Sequence, residues 1–372
     1  MIKFTCERAL LVNALSVASH TVSPKSPIAA LEGIHIHAGV KLYVSGYNLE
    51  TGITVTVPAE IKEQGKCVMP ARLFFDIIRK MPDDEVSVTV DENFKVSIRG
   101  EISSFTISAM TAEDYPELPD VEYDNEFILP QKALRELIGG TLFCVSEDRS
   151  RRPIYTGALM EVAHESITMV SIDGFRLAMR RYFFDKPIER ACKFVVPSSA
   201  LKEVEKILDE SDDPAAFTLG KKYILFKVGA VTLVCRRLEG DFGDWRQFVP
   251  QQNPILLTAA RTKLIATIDR VGLLVSEKFK SPIRCMFSYN KAEFRTVNNM
   301  GDAYDVCDIA GDGKELEIGF NCRYLIDALK ASSGDEVVLE LSNGLSPIVI
   351  TPCDGSEKFA YMVLPVRLKA EQ

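Results

Sequence analysis

Several residue patterns that would indicate a membrane protein, a disulfide framework or a metal site are missing from this sequence of 372 residues. No run of about 18 apolar residues occurs, so no transmembrane helix is predicted. The nine cysteines are scattered singly from Cys6 to Cys353 without a CxxC pair. That spacing predicts small buried side chains rather than disulfides or a zinc site. Glu7 and Arg8 stand where a signal peptide would be apolar, so we expect a cytoplasmic protein.

The common signatures of catalysis are missing too. The sequence contains no phosphate-binding P-loop, no dinucleotide-binding fingerprint and no nucleophile elbow. Among only four histidines, His35 and His37 alternate on a predicted strand, but no third metal ligand stands near them. Acidic runs at 83–85 and 209–213 follow predicted helices and are interpreted as turns. We therefore expect no enzymatic activity, no cofactor and no bound metal.

The formal net charge of −8 is the one broad property that bears on nucleic acids. An acidic average surface repels phosphates at long range, which disfavours tight binding on an open face. This argument concerns only the average surface, so an uneven distribution of the basic residues would overturn it.

What the sequence does contain is one pattern that occurs three times, at 68–90, 195–219 and 319–341. Each copy has an apolar stretch, a helix-starting residue, an amphipathic helix, an acidic turn and an alternating strand. The helix-starting residues are Pro70, Pro197 and Asn321. A second set of segments repeats around Pro27, Pro153 and Pro282, with a period of 126 to 129 residues. A repeat of that length is a domain rather than a solenoid unit.

Three domains are accordingly predicted, at 1–120, 127–250 and 254–368. An acidic, proline-bearing link at 113–126 joins the first two, and its Asp114-Tyr115-Pro116 corresponds to Asp244-Trp245-Arg246 at the end of the second. Each domain is expected to hold two helices and several antiparallel strands. The fold class is therefore α+β, with paired helices covering antiparallel sheets.

Helical spacing predicts which side chains of these helices are buried. In the first helix the apolar face comprises Leu10, Leu11, Ala14 and Leu15. In the helix at 71–81 it comprises Leu73, Phe74, Ile77 and Ile78. The opposite polar face of that helix carries Arg72, Asp76 and Arg79, and its third-repeat counterpart carries Arg323, Asp327 and Lys330.

Basic residues recur at matching places in the three repeats, on helix faces and in the loops that precede Pro27, Pro153 and Pro282. One helix of this kind is most simply a solvated face with compensating charges. Recurrence in an acidic chain is instead the footprint of one surface that faces phosphates. The candidate DNA-binding residues are Lys25, Arg72, Arg79, Lys132, Arg149, Arg151, Arg152, Lys202 and Arg323.

The repeats, together with four short motifs, resemble one family over essentially the whole chain: the bacterial sliding clamp, which is the beta subunit of DNA polymerase III. The motifs are Ile172-Asp173-Gly174-Phe175-Arg176-Leu177, Asp114-Tyr115-Pro116, Gly319-Phe320-Asn321 and Leu364-Pro365-Val366-Arg367-Leu368. The resemblance implies a head-to-tail homodimer whose six domains close a ring around duplex DNA. It also implies a processivity factor that tethers the replicative polymerase, the clamp loader and repair proteins through short linear peptides.

The resemblance further implies where partners and the second chain bind. The implied peptide groove between the second and third domains comprises Tyr155, Ile172, Gly174, Arg176, Leu177, Gln247, Phe248, Ser346, Met362, Val363, Leu364, Pro365, Val366, Arg367 and Leu368. The implied dimer interface comprises Phe105, Ile107, Leu273 and Leu274. Phe175, Tyr155, Gly243 and Gln247 stand where the best-known members carry histidine, leucine, proline and arginine, so we expect a reshaped groove. Lys369–Gln372 extend past the usual terminus of the family.

Two other interpretations stay open at this point. One is an enzyme of unrecognised class that uses the acidic turns. The other is a monomeric scaffold that binds peptides but not DNA.

Overall fold

The computed structural model describes residues 1–121, 126–148, 150, 152–250, 252–275 and 282–368. The chain divides into two compact units rather than three. The first unit comprises Met1–Leu134 and Ala200–Arg237, and the second comprises Arg135–Ser199 and Leu238–Gln372. Since continuous sheets run across the predicted domain limits, compactness does not follow the sequence repeat. The three-domain boundaries therefore remain a prediction.

The described residues contain six α-helices, two for each sequence repeat, as predicted. They are α1 (Arg8–Ser19), α2 (Ala71–Lys80), α3 (Gln131–Gly139), α4 (Ser198–Ile207), α5 (Arg261–Gly272) and α6 (Cys322–Ala331). Short 3₁₀ turns occur at Ala29–Glu32, Leu142–Cys144, Pro153–Thr156 and Trp245–Phe248. As the repeat predicts, α2 and α6 start directly after Pro70 and Asn321. Asn321 Oδ1 accepts the backbone N–H groups of Arg323 and Tyr324, as a helix cap does.

Antiparallel strands account for most of the remaining described chain. In the first two repeats they are β1 (Ile2–Glu7), β2 (Gly33–Ala38), β3 (Leu42–Tyr47), β4 (Thr51–Val57), β5 (Glu60–Glu63), β6 (Gly65–Pro70), β7 (Glu85–Val90), β8 (Lys95–Arg99), β9 (Ser104–Ser108), β10 (Glu126–Pro130), β11 (Gly157–Val162), β12 (Ser166–Ile172), β13 (Arg176–Phe183), β14 (Cys192–Pro197), β15 (Pro214–Leu219), β16 (Tyr223–Val228) and β17 (Val231–Arg236). In the third they are β18 (Ile255–Ala260), β19 (Ile283–Asn298), β20 (Gly301–Phe320), β21 (Glu336–Leu341), β22 (Ile348–Pro352) and β23 (Phe359–Val363).

The first unit holds two sheets. One has five strands in the order β5-β1-β7-β8-β9, and the other has eight in the order β10-β15-β16-β17-β4-β3-β2-β6. The larger sheet is continuous because β17 pairs with β4, with Val234 opposite Gly52. Strands of the first and second sequence repeats therefore share one hydrogen-bonded sheet.

The second unit holds one ten-stranded sheet, in the order β14-β11-β12-β13-β23-β22-β21-β18-β20-β19. Strands of the second and third repeats meet where β13 pairs with β23, and there Leu177 lies opposite Met362. Both residues belong to the groove that the family resemblance implies. The join between two repeats is therefore also where that candidate site lies.

Paired helices pack on these sheets as predicted: α1 contacts α2 and β4, and α5 contacts α6 and β20. Leu11, Leu15, Phe74 and Ile78 are fully buried. The helix-face predictions are wrong at two residues, since Leu10 and Leu73 are exposed. Each lies at the margin of its apolar stripe, where helical spacing alone does not decide whether a neighbouring element covers the side chain.

The acidic turns after the second helices have a structural role in all three repeats. The first residue of each first helix donates its backbone N–H to the backbone carbonyl of an aspartate in the turn. The bonds run from Arg8 to Asp84 (2.8 Å), from Gln131 to Asp213 (2.9 Å) and from Arg261 to Asp335 (2.8 Å). The first N–H groups of a helix have no partner within it, and the turn supplies one. The interpretation of these runs as turns is therefore confirmed for Asp83, Asp84 and 209–213, whereas Glu85 is the first residue of β7.

The cysteines behave as small apolar side chains. All nine lie among the described residues and are free, and seven of them are buried. Burial raises the pKa of the Cys6 thiol to about 12, so the thiol stays protonated. Within the described ranges, no helix is long and apolar enough to cross a membrane. Those ranges also contain no cluster of three or more His, Cys, Asp or Glu residues with metal-binding geometry.

Candidate functional site

The candidate site is built on an apolar cluster of the second unit. Ile172 and Leu177 from the β12–β13 hairpin pack with Val349 of β22 and Met362 of β23, and we call these four residues the second-unit floor. All four are buried. Their side chains share one cluster because Leu177 pairs with Met362, and Met362 pairs in turn with Val349. The structure thus brings three of the implied groove residues into contact with each other.

The turn of the β12–β13 hairpin positions one end of this floor. Asp173 Oδ1 accepts the backbone N–H groups of Phe175 (2.9 Å) and Arg176 (3.0 Å). Gly174 has φ +92°, and Phe175 does not have a positive φ, which is the pattern of a type II′ hairpin turn. Asp173 and Gly174 therefore lie in a tight hairpin turn. Phe175 is 60 % exposed beside the floor, as a consequence of this turn.

Arg176, another implied groove residue, is engaged in contacts within the protein. Its guanidinium donates to Asp173 Oδ2 (2.8 Å), to Asp327 Oδ2 (2.8 Å) and to the carbonyl of Phe143 (2.6 Å). It also lies over the Tyr324 ring, with Cζ 4.3 Å from the centroid. Burial acts to lower the pKa of Arg176, but the hydrogen bonds to Asp327 and Asp173 outweigh burial and raise it. Arg176 therefore ties the hairpin to α6.

Asp327 lies elsewhere than the sequence indicates. Helical spacing places it on a polar, solvent-facing side of α6 with Arg323, but it is only partly exposed and pairs with Arg176. The partner comes from a strand 151 residues earlier in the chain, so the local pattern carries no sign of it.

Exposed apolar side chains occur in the chain segments that adjoin Trp245, β22 and β23. Phe248 is 49 % exposed, Leu345 75 % and Leu364 37 %. Gln247 is exposed next to Phe248, and Ser346 is partly exposed next to Leu345. A buried apolar floor with an exposed apolar rim and a few polar groups is a suitable surface for a short peptide.

The C-terminal strand extends this surface beyond Met362. Leu364 N donates to the carbonyl of Phe175 (2.9 Å), and Val366 N donates to the carbonyl of Gly319 (2.8 Å). Leu368 packs closely on Gly319, where a Cβ would lie 2.5 Å from Leu368 Cδ2. These contacts hold the segment in place while Pro365 is partly exposed and Arg367 is exposed; Val363 is buried. Lys369–Gln372 lie outside the described residues.

Two of the departures from the family pattern have structural consequences. Tyr155 packs edge-on against Phe242 at 5.1 Å between centroids, and its hydroxyl donates to the Phe242 carbonyl (3.4 Å). Gly243 has φ +77°, which proline with its fixed φ of about −65° does not adopt. The backbone that leads into Trp245 therefore follows a path that the family's usual proline does not allow.

The candidate DNA-binding residues are exposed wherever the structure describes them. These residues are Lys25, Arg72, Arg79, Lys132, Arg152, Lys202 and Arg323. On α2, Asp76 pairs with both Arg79 (2.8 Å) and Arg72 (3.9 Å), whereas Lys132 pairs with Asp212 (2.7 Å). Arg149 and Arg151 lie outside the described residues.

Arg152 differs from the other basic candidates because it lies at the apolar site. Its Nη1 donates to the Tyr155 hydroxyl (3.2 Å), and its Cζ is 5.6 Å from the Tyr155 ring centroid. A guanidinium over an aromatic face is held there by a cation–π attraction. The side chain thus lies on a residue of the implied peptide groove.

The implied dimer residues occupy exposed places near two sheet edges. Phe105 and Ile107 are on β9, the edge strand of the five-stranded sheet; Phe105 is exposed and Ile107 partly so. Leu273 follows α5 and is 80 % exposed, whereas Leu274 is partly buried. An exposed edge strand has unpaired backbone N–H and C=O groups, so it can pair with a strand of another chain.

Sequence reasoning missed Val349, Phe242 and Trp245, which the structure places in the cluster, and the exposed Leu345 in the segment before β22. Trp245 could have been predicted as a site residue, because it is the only tryptophan in the sequence and occupies a repeated link motif. Val349 joins the site only through its pairing with Met362, and no sequence pattern reports that register.

Three family models match consecutive parts of the chain. They are the N-terminal domain of the DNA polymerase III beta subunit at residues 2–119, its central domain at 128–244 and its C-terminal domain at 246–367.

Individual relatives match over nearly the full length. The "Beta sliding clamp" of Staphylococcus epidermidis is 31 % identical, covering 99 % of this chain and 100 % of the relative, and that of Staphylococcus aureus is 30 % identical with the same coverage. Among solved structures, a putative DNA polymerase III beta subunit from Eubacterium rectale has a TM-score of 0.94 at 30 % identity. The DNA polymerase sliding clamp from Bacillus subtilis has a TM-score of 0.94 at 27 % identity. Both comparisons cover 99 % of this chain and 100 % of the solved one.

Proposed function

The chain belongs to the family of the bacterial DNA polymerase III beta subunit, the DNA sliding clamps, and from this premise we propose which residues carry the family's function. It is a processivity factor that encircles duplex DNA without sequence specificity and keeps the replicative polymerase on its template. The observation that carries this assignment is the match of all three clamp domains in order along one chain.

The proposed assembly is a head-to-tail homodimer. Phe105 and Ile107 on edge strand β9 of one chain meet Leu273 and Leu274 of its partner. Support comes from the exposed apolar side chains at these places. Because the contact joins two different surfaces, it closes into a ring when the rotation between chains permits.

The proposed contacts to DNA are made by the basic residues that recur on the repeat helices and loops, including Lys25, Arg72, Lys202 and Arg323. They need only centre the duplex through its phosphates, and such contacts carry no sequence information. A ring linked topologically to DNA does not require tight binding, which is consistent with the net charge of −8. The proposed location is the cytoplasm, where bacterial DNA is replicated, and we propose no enzymatic role.

The proposed docking site for polymerase, clamp loader and repair proteins is the second-unit floor with its rim of Phe248, Leu345 and Leu364. An extended peptide would place apolar side chains on Leu177 and Met362. The polar groups of the peptide would form hydrogen bonds with the neighbouring exposed backbone and side chains, including Gln247.

Retention on circular DNA tests the function most directly. The chain is loaded by a clamp loader onto a nicked circular duplex, and the circle is then linearised with a restriction enzyme. A ring remains on the circle and slides off the linear form, so retention should fall on cutting. A protein that binds the duplex surface instead would be retained equally on both forms, and that result would contradict the proposal.

A C-terminal truncation tests the docking site separately. Removal of Leu364–Gln372 deletes part of the rim and the bonds to Phe175 and Gly319, so binding of a polymerase peptide should be lost while the ring stays dimeric. The full-length chain is the control. Normal peptide binding by the truncated dimer would place the docking site elsewhere.

A further inference from the structure

The hairpin turn that borders the second-unit floor has a counterpart in the first unit at residues 48–51. Asn48 Oδ1 accepts the backbone N–H groups of Glu50 (3.0 Å) and Thr51 (2.7 Å), and Leu49 has φ +73°. The turn at 173–176 has the same bonds and the same positive φ one residue after the acceptor. The two turns are therefore equivalent positions of the sequence repeat.

Strand register extends this equivalence to the residues of the floor. Gly52 follows its turn as Leu177 follows the other, and Gly52 pairs with Val234 as Leu177 pairs with Met362. Next, Val234 pairs with Leu225 as Met362 pairs with Val349. The counterparts of Ile172, Leu177, Val349 and Met362 are thus Tyr47, Gly52, Leu225 and Val234, which we call the first-unit floor.

The first-unit floor is covered by the chain's own link. Leu118 packs in one cluster with Tyr47 and in another with Leu225 and Val234. Val121 joins the second cluster and is only 2 % exposed. Two apolar side chains three residues apart therefore pack against the residues of the first-unit floor.

Gly52 explains why the link fits in the first unit. A Cβ at Gly52 would lie 2.0 Å from Leu118 Cδ2, so any larger residue would displace Leu118. In the second unit the same position holds Leu177, and Phe248, which the link motif aligns with Leu118, is 49 % exposed. In the first unit this position leaves room for Leu118, whereas in the second unit the link contributes Val249, the residue after Phe248, to the cluster that contains the floor.

We propose that the first-unit floor is a second peptide groove, occupied by Leu118 and Val121 as a tethered ligand. Once vacated, it takes extended peptides with two apolar side chains three residues apart. The tether gives the link an effective concentration on the order of millimolar, which keeps free peptides out of the intact chain. The ligand class rests on the proposed peptide docking in the second unit, whereas the occupancy by the link does not.

Calorimetric titration of the full chain with a synthetic peptide of residues 113–121 tests this groove. The variant Leu118→Ser/Val121→Ser releases the link, and the control Glu117→Ser/Asp120→Ser changes two exposed residues of the same segment. At peptide concentrations of about 1 mM, set by the effective concentration of the tether, the released variant should bind one more peptide per chain than the wild type and the control. Adding Gly52→Leu to the released variant should remove that extra equivalent.

Two results would overturn the proposal: a folded released variant that binds no extra peptide, or an extra equivalent that survives Gly52→Leu. If the released variant does not fold, amide hydrogen exchange is measured instead on the single variant Gly52→Leu and compared with the wild type. Displacement of Leu118 by the new side chain should speed exchange across 117–121. Unchanged exchange would refute the occupancy. If the second unit binds no peptide while the released variant gains its equivalent, the proposed docking site fails and this inference stands.

Discussion

Arg176 Nη1 and Asp327 Oδ2 are 2.8 Å apart although 151 residues separate them in the chain. The bond joins the turn after β12, in the second repeat, to α6 in the third. The same guanidinium also holds Asp173 and the Phe143 carbonyl, so one side chain connects the hairpin, α6 and the segment after α3. The candidate groove lies beside this connection, which makes Arg176 a positioning residue.

Replacing Arg176 with methionine should destabilise the second unit by about 3 kcal/mol. The substitution keeps much of the volume but leaves Asp173 and Asp327 largely buried without their cation. Arg176→Lys should cost less, because it retains the charge and loses only the planar fork. Urea unfolding followed by far-ultraviolet circular dichroism measures both variants.

The matched control for Arg176 is Arg72→Met on α2. Arg72 is 97 % exposed and its nearest carboxylate is 3.9 Å away, so its loss should leave the unfolding midpoint unchanged. Equal destabilisation by Arg72→Met and Arg176→Met would show that the contacts of Arg176 with Asp173 and Asp327 do not add to stability.

Alanine variants of Arg152 and Arg72 should affect different activities, peptide binding in the first case and DNA binding in the second. Arg152 lies on Tyr155, so Arg152→Ala should weaken binding of a polymerase peptide. Arg72→Ala should leave the peptide affinity unchanged. It should lower the slope of log affinity for DNA against log salt concentration by about one, because one fewer phosphate contact releases one fewer counterion. Peptide fluorescence polarisation and retention on circular DNA at several salt concentrations distinguish the two. The assignment fails if the two variants have the same profile.

Aspartate at an exposed apolar residue of either edge should open the dimer. We expect Phe105→Asp or Leu273→Asp to shift the solution mass from about twice 41.4 kDa to about 41.4 kDa, because each buries an unpaired charge in the proposed interface. Val40→Asp is the control, since Val40 is 92 % exposed and outside both edges. Light scattering after size exclusion gives the mass, and a dimer that persists in both edge variants would place the interface elsewhere.

His35 should make the first unit less stable at low pH. Burial, and then the neighbouring charges of His37 and Lys66, lower the pKa of His35 to about 4. Between pH 6.5 and 4 the unfolded chain takes up a proton that the folded chain does not, so the free energy of unfolding falls as the pH falls. The loss is at most about 3 kcal/mol and is absent above pH 7.

Thermal unfolding of His35→Gln and the wild type across pH 4 to 8 measures this effect. The variant should show a smaller decrease in stability below pH 6.5, with the difference between the two proteins largest near pH 4. Parallel pH profiles would mean that His35 takes no part.

Much of the candidate site is predictable from the sequence because it lies in short contiguous motifs. The turn at Asp173-Gly174 follows from local backbone chemistry, and the stretch from Met362 to Leu368 is one strand and its extension. The contribution of Val349 was not predictable, since it depends on the register between β22 and β23 and on the pairing of β23 with the distant β13. Arg152 was interpreted only through its charge, whereas its contact with Tyr155 depends on a loop that no periodicity describes.

The three repeats, the six helices, the acidic turns and the family were determined by the sequence itself, because each depends on local periodicity or on contiguous motifs. Tertiary structure alone decided what long-range packing controls. Leu10 and Leu73 are exposed because, among the residues that the structure describes, no element covers the margins of their helices. Asp327 is held by Arg176 from a different repeat. Gly52 admits Leu118 where Leu177 leaves Phe248 outside. The equivalence of Gly52 and Leu177 follows from strand register, which arises only when distant strands pair in the folded chain.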